Sequence, residues 1–379
     1  MNPIAFIDTE IEPKSGKILD IGSVKCDGSS FHKASVSEFL QFLTGTHFIC
    51  GHNLFNHDIK YIGKVLHGVG ISSENIIDTL FLSPLFFPNK PYHALVKDDK
   101  LQSEDINNPL NDAIKSRDLF HDEVAAFKQI DESLKQIFYL LLKDKKEFRS
   151  FFRYVQFSSS DTDTEKLIRQ VFKNKICEHV DLKKVVAENA IELAYCLALI
   201  NATNRYSITP RWVLKNYPEV ERIMFRLRNT PCVSGCMYCN EALDMYKGLK
   251  RFFGFDSFRT YGGEPLQAEA VKAAIDNKSI LAVFPTGGGK SVTFQVPALM
   301  SGESAKGLTV VISPLQSLMK DQVDNLEKVG ITDAVTINGL LDPIERGESF
   351  ERVPGFLVQP LRGWGLCGFS WPPGFTRGY

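Results

Sequence analysis

The chain has 379 residues, which is room for two or three domains at roughly 100–200 residues each. Hydrophobic residues make up 44% and charged residues 23%, and the net charge is −1. This charge excludes a basic field over the whole surface, so any contact with nucleic acid must use local patches. Without a signal-peptide pattern or an apolar run near the roughly 18–20 residues that span a bilayer, we expect a cytoplasmic protein with no membrane partner.

Strand and helix patterns alternate in residues 1–130. Strands are predicted for three apolar runs and helices for two periodic segments, at 4–8, 18–24, 47–50, 57–67 and 111–128. Strands that alternate with helices indicate an α/β layer.

Two acidic residues end the first predicted strand, where Asp8 and Glu10 stand two positions apart. Side chains at i and i+2 share one face of a strand, so both carboxylates can serve one site. Cleavage of a phosphodiester by two metal ions uses ions about 3.5–4 Å apart, one producing hydroxide and one neutralising the leaving oxygen. Hard ions such as Mg²⁺ prefer carboxylate oxygens and water. On its own, however, the pair also fits a solvated strand end.

Two further acids follow the later elements of this region. A Gly-His-Asn turn at 51–53 comes after the third predicted strand and leads to Asp58 at the start of a helix. Asp112 and Ala113 open the helix that ends the region. Four acids therefore stand at strand ends and helix starts.

These segments, in this order, resemble the three motifs of the DnaQ-like (DEDD) 3′→5′ exonuclease family. The motifs are apolar-Asp-x-Glu, then His-Asn-x-x-x-Asp, which is slightly longer here, and then Asp-Ala at a helix start. The resemblance covers roughly residues 3–128 and implies an RNase H-like exonuclease domain. It also implies a catalytic set that binds two Mg²⁺ or Mn²⁺ ions, formed by Asp8, Glu10, Asp58 and Asp112.

The general base departs from the family pattern. The histidine-bearing branch has a His five residues before its last Asp, and that position is Asn107 here. Asn cannot take a proton from water at neutral pH. Either an insertion has separated His93 from Asp112, or Asp98, five residues after His93, is the fourth carboxylate. The helix and the Asp-Ala pair favour Asp112, and His93 is the predicted base in both alternatives.

Residues 131–245 predict a helical connector that carries a cysteine group. Its clearest helical patterns lie at 132–142, 164–172 and 190–202.

Three cysteines lie close together near the end of this connector, at Cys232, Cys236 and Cys239, and Cys177 is the predicted fourth ligand. Thiolates so close can share one soft or borderline metal. Structural Zn²⁺ and an iron–sulfur cluster both remain open. Analogy with nucleases and helicases that carry one distant and three close cysteines favours iron–sulfur.

A glycine-rich segment at 284–291 stands between a strand predicted at 279–284 and a helix-like run, and a second apolar strand is predicted at 308–312. Glycines let backbone N–H groups converge on phosphate oxygens. Lys290 can reach the β- and γ-phosphates, and Ser291 can hold Mg²⁺. The predicted nucleotide-binding residues of this segment are Thr286, Gly287, Gly288, Gly289, Lys290 and Ser291.

The form Pro-Thr-Gly-x-Gly-Lys-Ser resembles superfamily-two helicases. The segment 313–322 resembles the DNA-contacting motif of RecQ-like DNA helicases, and 253–259 resembles their adenine-reading segment, which ends at Arg259. The Gln expected three residues later is Gly262, and Gln267 is the predicted substitute.

This second resemblance covers about residues 250–347 and implies a partial RecA-like P-loop domain at 246–352, with ATP and DNA as partners. A complete motor also needs an Asp-Glu-x-His motif and a second RecA-like lobe with an arginine finger. Neither is recognised, so we expect ATP binding without unwinding. Residues 353–379 contain no Lys, Asp or Glu and are rich in Gly and Pro, and we interpret them as a non-family tail caused by a frameshift or a gene-fragment end.

The sequence thus predicts an α/β protein in which a metal-dependent 3′→5′ exonuclease is joined to the front of a RecQ-like ATP-dependent DNA helicase of repair or recombination. The alternative is a non-catalytic nucleic-acid-binding module with residual ATP binding, in which Asn107 marks the loss of catalysis.

Overall fold

A computed structural model describes residues 2–12, 14–90, 92–95, 108–202, 208–285, 287–313, 316–332 and 334–335. The sequence predictions for Asp98, Asn107, Thr286 and the tail at 353–379 lie outside these residues. No helix within the described ranges is both long and apolar enough to cross a bilayer.

A five-stranded mixed sheet organises the N-terminal region. The strands are β1 (Ile4–Ile11), β2 (Ile18–Lys25), β3 (Ser30–His32), β4 (Phe48–Gly51) and β5 (Ile76–Asp78). Their order across the sheet is β3-β2-β1-β4-β5. β2 runs antiparallel to β1 and to β3, whereas β1, β4 and β5 are mutually parallel. The three strands predicted from the sequence are β1, β2 and β4.

Helices cover both faces of this sheet. They are α1 (Val36–Phe42), α2 (Ile59–His67), α3 (Thr79–Phe86) and α4 (Pro109–Gln129). Alternate residues of β1 point to opposite faces. Ile7 packs with Ile62 of α2 in one core, and Phe6 packs with Phe120 of α4 in the other, with ring centroids 5.7 Å apart. The fully apolar run at the start of β1 follows from burial on both faces.

β1 extends beyond its parallel neighbour. The pairing with β4 covers Ile4 to Phe6 only, although β1 continues to Ile11. In the second half of β1, the edge on the β4 side therefore faces the turn that follows β4.

The connector is helical, as the sequence predicts. Its helices are α5 (Glu132–Leu142), α6 (Arg149–Tyr154), α7 (Thr164–Val171), α8 (Leu182–Glu188), α9 (Ala190–Asn201), α10 (Arg211–Asn216), α11 (Glu219–Arg228) and α12 (Met237–Ala242). Asp131 caps α5 and Asp163 caps α7 through side-chain bonds to backbone N–H groups, which explains where these helices begin. Phe151 of α6 packs on Phe120 of α4, so connector and sheet share one core.

The last described part contains four helices, of which the first three pack around a small core of their own. They are α13 (Met245–Phe253), α14 (Leu266–Ile275), α15 (Lys290–Ala305) and α16 (Gln316–Lys328). The core residues include Leu249, Val271, Val296 and Met300.

The two strands predicted in this part, at 279–284 and 308–312, are not formed. Most of their apolar side chains are open to solvent, with Leu281 93% and Ile312 81% exposed, although Phe284 is buried. A strand is stable only when neighbours take its hydrogen bonds and cover its side chains. The described residues supply no strand that pairs with either segment, so local apolarity alone predicted them wrongly.

Candidate functional site

The best-defined contact among the predicted acids joins β1 to the start of α2. Asp58 Oδ1 accepts hydrogen bonds from the backbone N–H of Thr9, at 2.9 Å, and from Thr9 Oγ1, at 2.5 Å. Asp58 is 1% exposed, and this burial raises the pKa of its carboxyl group. Because Thr9 stands between Asp8 and Glu10, Asp58 is anchored at the point of β1 that carries the other two acids.

The first turn of α4 reaches the same end of the sheet. Asp8 lies directly opposite Gly22 in the β1–β2 pair, so the two positions share one face. A Cβ atom on Gly22 would lie 2.0 Å from backbone atoms of Pro109 and Leu110. This contact seats the start of α4 beside Asp8, and Asp112 belongs to that first turn.

The four carboxylates nevertheless do not form a tight ligand group. Among the described residues, the one group of three or more possible metal ligands whose donor atoms lie within 4.8 Å of one another is made of cysteines. Thr9 also points to the sheet face opposite that of Asp8 and Glu10. The structure thus does not gather the four acids into such a group, and their catalytic role stays a prediction.

His93, the predicted base, lies in the interior against α3. It is 5% exposed, and its Nδ1 atom is 2.8 Å from Ser83 Oγ. Its buried Nε2 atom makes no hydrogen bond with any part of the chain that the structure describes. Burial is the main cause that lowers its pKa to about 4, with smaller effects of Lys90 and His52. Such an imidazole is neutral at pH 7 but a weak base, and its catalytic role stays a prediction.

Asp78, which the sequence analysis missed, shapes the turn that carries Asp58. Its carboxylate accepts hydrogen bonds from the backbone N–H groups of Asn53, Phe55 and Leu80 at 2.7, 3.0 and 3.0 Å. Full burial raises its pKa to about 7, against the lowering effect of those bonds. The sequence does contain a signal for this residue, because Asp78 directly follows the apolar pair of β5 at a position typical of a helix N-cap.

His52 is a second residue of that turn with a buried side chain. Its Nδ1 atom is 2.9 Å from Thr79 Oγ1, which in turn donates to the Gly51 carbonyl at 3.2 Å. Burial lowers the pKa of His52 to about 4. The start of α3 therefore holds the turn through both Asp78 and Thr79.

Glu123 of α4 is buried without a hydrogen bond. Both carboxyl oxygens lack a partner among the described residues, and the side chain is 0% exposed. Burial, reinforced by nearby Asp78, raises its pKa well above the usual range. Burial therefore favours the protonated form of this core acid.

The glycine-rich segment leads directly into α15, whose first residue is Lys290. Gly287 and Gly289 adopt left-handed backbone conformations, with φ of 75° and 67°. These values suit glycine and disfavour other residues. The turn therefore needs glycine at both positions, as a phosphate-binding loop does.

Three side chains hold the carbonyls of this turn. Gln267 Nε2 donates to the Gly289 carbonyl at 2.9 Å and its Oε1 accepts from the Arg259 backbone N–H at 2.9 Å. Arg259 Nη1 donates to the Gly287 carbonyl at 3.4 Å. Tyr261, which the sequence analysis missed, donates to the Gly288 carbonyl. The predicted substitute Gln267 thus touches the loop, although its role in reading adenine stays a prediction.

Ser291, the predicted Mg²⁺-binding hydroxyl, is tied to α16. Its Oγ accepts from Gln322 Nε2 at 2.8 Å, and Gln295 Nε2 donates to Gln322 Oε1 at 2.7 Å. The segment that resembles a DNA-contacting motif is thereby connected to the nucleotide loop by hydrogen bonds.

The four predicted cysteine ligands come together. Cys177 follows α7, Cys232 follows α11, Cys236 caps α12, and Cys239 lies within α12. Their sulfur atoms all lie within 4.8 Å of one another. Burial would raise the pKa of the Cys236 thiol, but hydrogen bonds, first from the Cys239 and Glu178 backbone N–H groups, lower it to about 6. The cluster is present as predicted, and its role as a metal site stays a prediction.

Comparison with known proteins identifies the last part of the chain. Residues 264–358 match the family described as DEAD/DEAH box helicase. The ATP-dependent DNA helicase Q5 of Rattus norvegicus is 43% identical over 101 residues, which is 26% of this chain and 10% of that protein. The ATP-dependent DNA helicase RecQ of Bacillus subtilis is 44% identical over 108 residues, covering 28% and 16%. RecQ of Haemophilus influenzae is 49% identical over 83 residues, covering 22% and 12%.

The match is limited to a small part of these proteins, since the chain spans 10–16% of the length of the three relatives. No solved structure matches the chain. The predicted helicase segment is confirmed as a DEAD/DEAH box segment related to RecQ helicases. The family match begins at Glu264 and does not include the N-terminal sheet.

Proposed function

We propose that this chain joins a metal-dependent 3′→5′ exonuclease on DNA to an ATP-binding segment of a RecQ-like DNA helicase, in the service of DNA repair or recombination. The observation that carries the nuclease is the anchoring of buried Asp58 to Thr9, between Asp8 and Glu10 on β1. That contact brings acids from distant parts of the chain to one strand end.

The sheet supports the same assignment. Its order is β3-β2-β1-β4-β5, with β2 alone antiparallel to the other strands. A mixed sheet with helices on both faces supports the RNase H-like domain that the three acidic motifs imply. Asp8 and Glu10 stand on its central strand, and Asp112 opens the helix that crosses the adjoining strand β2 at Gly22.

Each acid has a distinct part in the proposed reaction. Asp8 and Glu10 share one face of β1 and provide oxygen ligands towards α4, where Asp112 adds a third. Asp58 is held by the Thr9 hydroxyl and forms the boundary of the site on the α2 side. Two Mg²⁺ or Mn²⁺ ions, when bound, would supply hydroxide and stabilise the leaving oxygen.

ATP binding is proposed for the turn before α15. Gln267 and Tyr261 hold the carbonyls of Gly289 and Gly288, which leaves the opposite side of these two peptide groups, with the N–H donors of Lys290 and Gly289, for phosphate oxygens. The Gly288 N–H is instead bonded to the Pro285 carbonyl at 3.0 Å. Lys290 is exposed at the start of α15, where a phosphate also meets the positive end of the helix dipole. The named relatives are ATP-dependent DNA helicases, which supports ATP and DNA as partners.

A nuclease assay tests the first half of the proposal. A 5′-labelled single strand is incubated with the chain and Mn²⁺, and we expect stepwise shortening from the 3′ end. Asp8→Ala should lower the rate at least about 100-fold, since removal of one metal ligand disables the hydroxide step. Asp118→Ala is the matched control, because this acid lies on α4 but is 61% exposed and pairs with Arg117.

Two results would contradict the nuclease. Shortening that persists unchanged in Asp8→Ala would identify a contaminant. Binding of the strand without shortening, with circular dichroism confirming a folded chain, would favour the non-catalytic nucleic-acid-binding module instead.

Nucleotide affinity tests the second half. We expect an ATP analogue to bind and Lys290→Ala to weaken binding at least about tenfold, equal to about 1.4 kcal/mol. Lys278→Ala is the control, because Lys278 is an exposed lysine before the loop. An affinity that is equal in all three proteins would contradict ATP binding at this loop.

A further inference from the structure

The four-cysteine cluster has a sulfur spacing that discriminates between the metals left open by the sequence. The sulfurs of Cys177, Cys232, Cys236 and Cys239 all lie within 4.8 Å of one another. In a tetrahedral site with bonds of about 2.3 Å, neighbouring sulfurs lie about 3.8 Å apart. An iron–sulfur cluster distributes its cysteines over several iron atoms, so its sulfurs must be farther apart than around a single ion.

We propose that these four cysteines bind one Zn²⁺ ion as a closed structural site. Four protein thiolates fill a tetrahedral shell and leave no position for water or substrate, which is typical of a structural rather than a catalytic zinc. Three of the four residues are buried, with Cys177, Cys236 and Cys239 at 4–5% exposure. Burial from solvent favours a permanently held ion.

The site joins two segments that are far apart in the chain. Cys177 belongs to the loop between α7 and α8, whereas the other three ligands surround the start of α12. A backbone hydrogen bond from the Cys177 N–H to the Leu227 carbonyl, at 2.8 Å, already aligns that loop with the end of α11. Tyr238 of α12 donates to the Arg228 carbonyl at 2.7 Å, which ties α12 to the same place.

The same end of α11 contacts the helicase segment. Asn229 Oδ1 accepts a hydrogen bond from Ser304 Oγ at 2.8 Å, and Asn229 Nδ2 lies 3.5 Å from Ser301 Oγ. Ser301 and Ser304 lie on α15, the helix that begins at the phosphate loop. Zinc therefore stabilises the junction between the connector and α15, at the end of that helix opposite the nucleotide loop.

Metal analysis of the purified full chain tests the identity of the ion. We expect about one zinc per chain by elemental analysis and no iron–sulfur absorption in the visible range. Cobalt substituted for zinc should show the strong thiolate-to-cobalt absorption of a four-sulfur tetrahedral site. Iron with acid-labile sulfide, or a chain that is folded but holds no metal, would overturn the proposal.

A matched pair of variants tests the ligand assignment. Cys239→Ser should lose the zinc, whereas Cys196→Ser should keep it, because Cys196 is buried in the connector core and its thiol donates to the Val220 carbonyl instead. Zinc retained in Cys239→Ser, or lost equally in both, would contradict the assignment. If Cys239→Ser does not fold, the cobalt spectrum of the wild-type chain still decides between four sulfurs and fewer.

Hydrogen exchange tests the structural role. Removal of zinc by a chelator should accelerate amide exchange at residues 229–242 and in the last turns of α15, and should leave the N-terminal sheet unchanged. Unchanged exchange around α15 would refute the coupling to the helicase segment. These readouts do not involve nuclease activity, so failure of this proposal is distinguishable from failure of the proposed function.

Discussion

Thr9 supplies two hydrogen bonds to Asp58, and the one from its hydroxyl can be removed alone. In Thr9→Val the shape is kept, but a buried carboxylate loses a donor. We expect a loss of about 1–3 kcal/mol in the free energy of unfolding, measured in urea. The control Thr44→Val changes an exposed threonine and should stay within about 0.5 kcal/mol. Equal effects of the two substitutions would show that the Asp58 contact contributes nothing.

Glu123 makes stability depend on pH. Its pKa is raised in the folded state, so its contribution to stability is complete below the unfolded pKa and is lost as pH rises. In Glu123→Met this loss disappears, and we expect a higher melting temperature whose advantage grows as the pH rises above the ordinary pKa of a glutamate. Asp78, whose pKa is also raised, remains in both proteins and contributes to the pH dependence of each.

The control for that experiment is Glu188→Met at the exposed end of α8. It should shift the melting temperature little at either pH. A Glu123→Met protein that is less stable than the wild type, or has the same pH slope, would contradict a neutral buried Glu123.

At the scale of elements, the approach of α4 to β2 depends on the absence of a side chain at Gly22. A Cβ would collide with backbone atoms of Pro109 and Leu110 at 2.0 Å, and backbone cannot rotate away as a side chain can. We expect Gly22→Ala to cost about 1–3 kcal/mol or more and to displace Asp112 from Asp8. Gly302→Ala, with only an ordinary contact at 3.8 Å inside α15, should be neutral or stabilise by up to about 1 kcal/mol. Denaturant unfolding of both variants checks this, and a Gly22→Ala protein as stable as the wild type would contradict the close approach.

The nucleotide loop depends on α14 in a similar way. Gln267 is 3% exposed and links the Arg259 N–H to the Gly289 carbonyl. Gln267→Leu keeps the volume but leaves both groups without this partner, so the loop loses its fixed conformation. We expect the affinity for an ATP analogue to fall roughly tenfold, by calorimetry. Gln295→Leu, which removes a bond to Gln322 and none to the glycines, is the control, and an equal effect of both would argue against a specific role of Gln267.

The elements differ in how far the sequence predicted them. Strand β2 and the connector helices α5, α7 and α9 have clear periodicity, and they were predicted to within one residue. β1 was predicted three residues too short, and the other connector helices were not predicted one by one. β3 and β5 have three residues each, which is too short for a periodic signal. In α3 every residue is buried, so no polar face distinguishes it from a strand.

The site was predictable only where chemistry singles out residue types. Cys177 was predicted because only another cysteine can add a fourth thiolate to the three close ones. Asp78, Thr9 and Tyr261 were missed, since their roles depend on contacts between distant segments. His93 carried a catalytic expectation, whereas its burial against Ser83 is a tertiary property that no local pattern reveals.

At the scale of the whole molecule, the exposed apolar side chains at 279–284 and 308–312 determine how readily the protein associates in solution. Leu281 is 93% exposed and Ile312 is 81% exposed, which is unusual for such side chains in a folded protein. We expect the chain to bind an apolar fluorescent dye and to associate with itself. Leu281→Glu should reduce both, whereas the control Lys278→Glu, a charge change nearby, should not.

Light scattering and dye fluorescence measure the two effects. Equal dye binding by the wild type and Leu281→Glu would mean that the segment is covered in solution.

Crystals soaked in Mn²⁺ offer the most direct test of the nuclease site, because anomalous scattering locates the ions themselves. The proposed function predicts manganese bound by Asp8, Glu10 and Asp112, next to Asp58 on the α2 side. A well-ordered map with these four side chains visible and no manganese among them would contradict it.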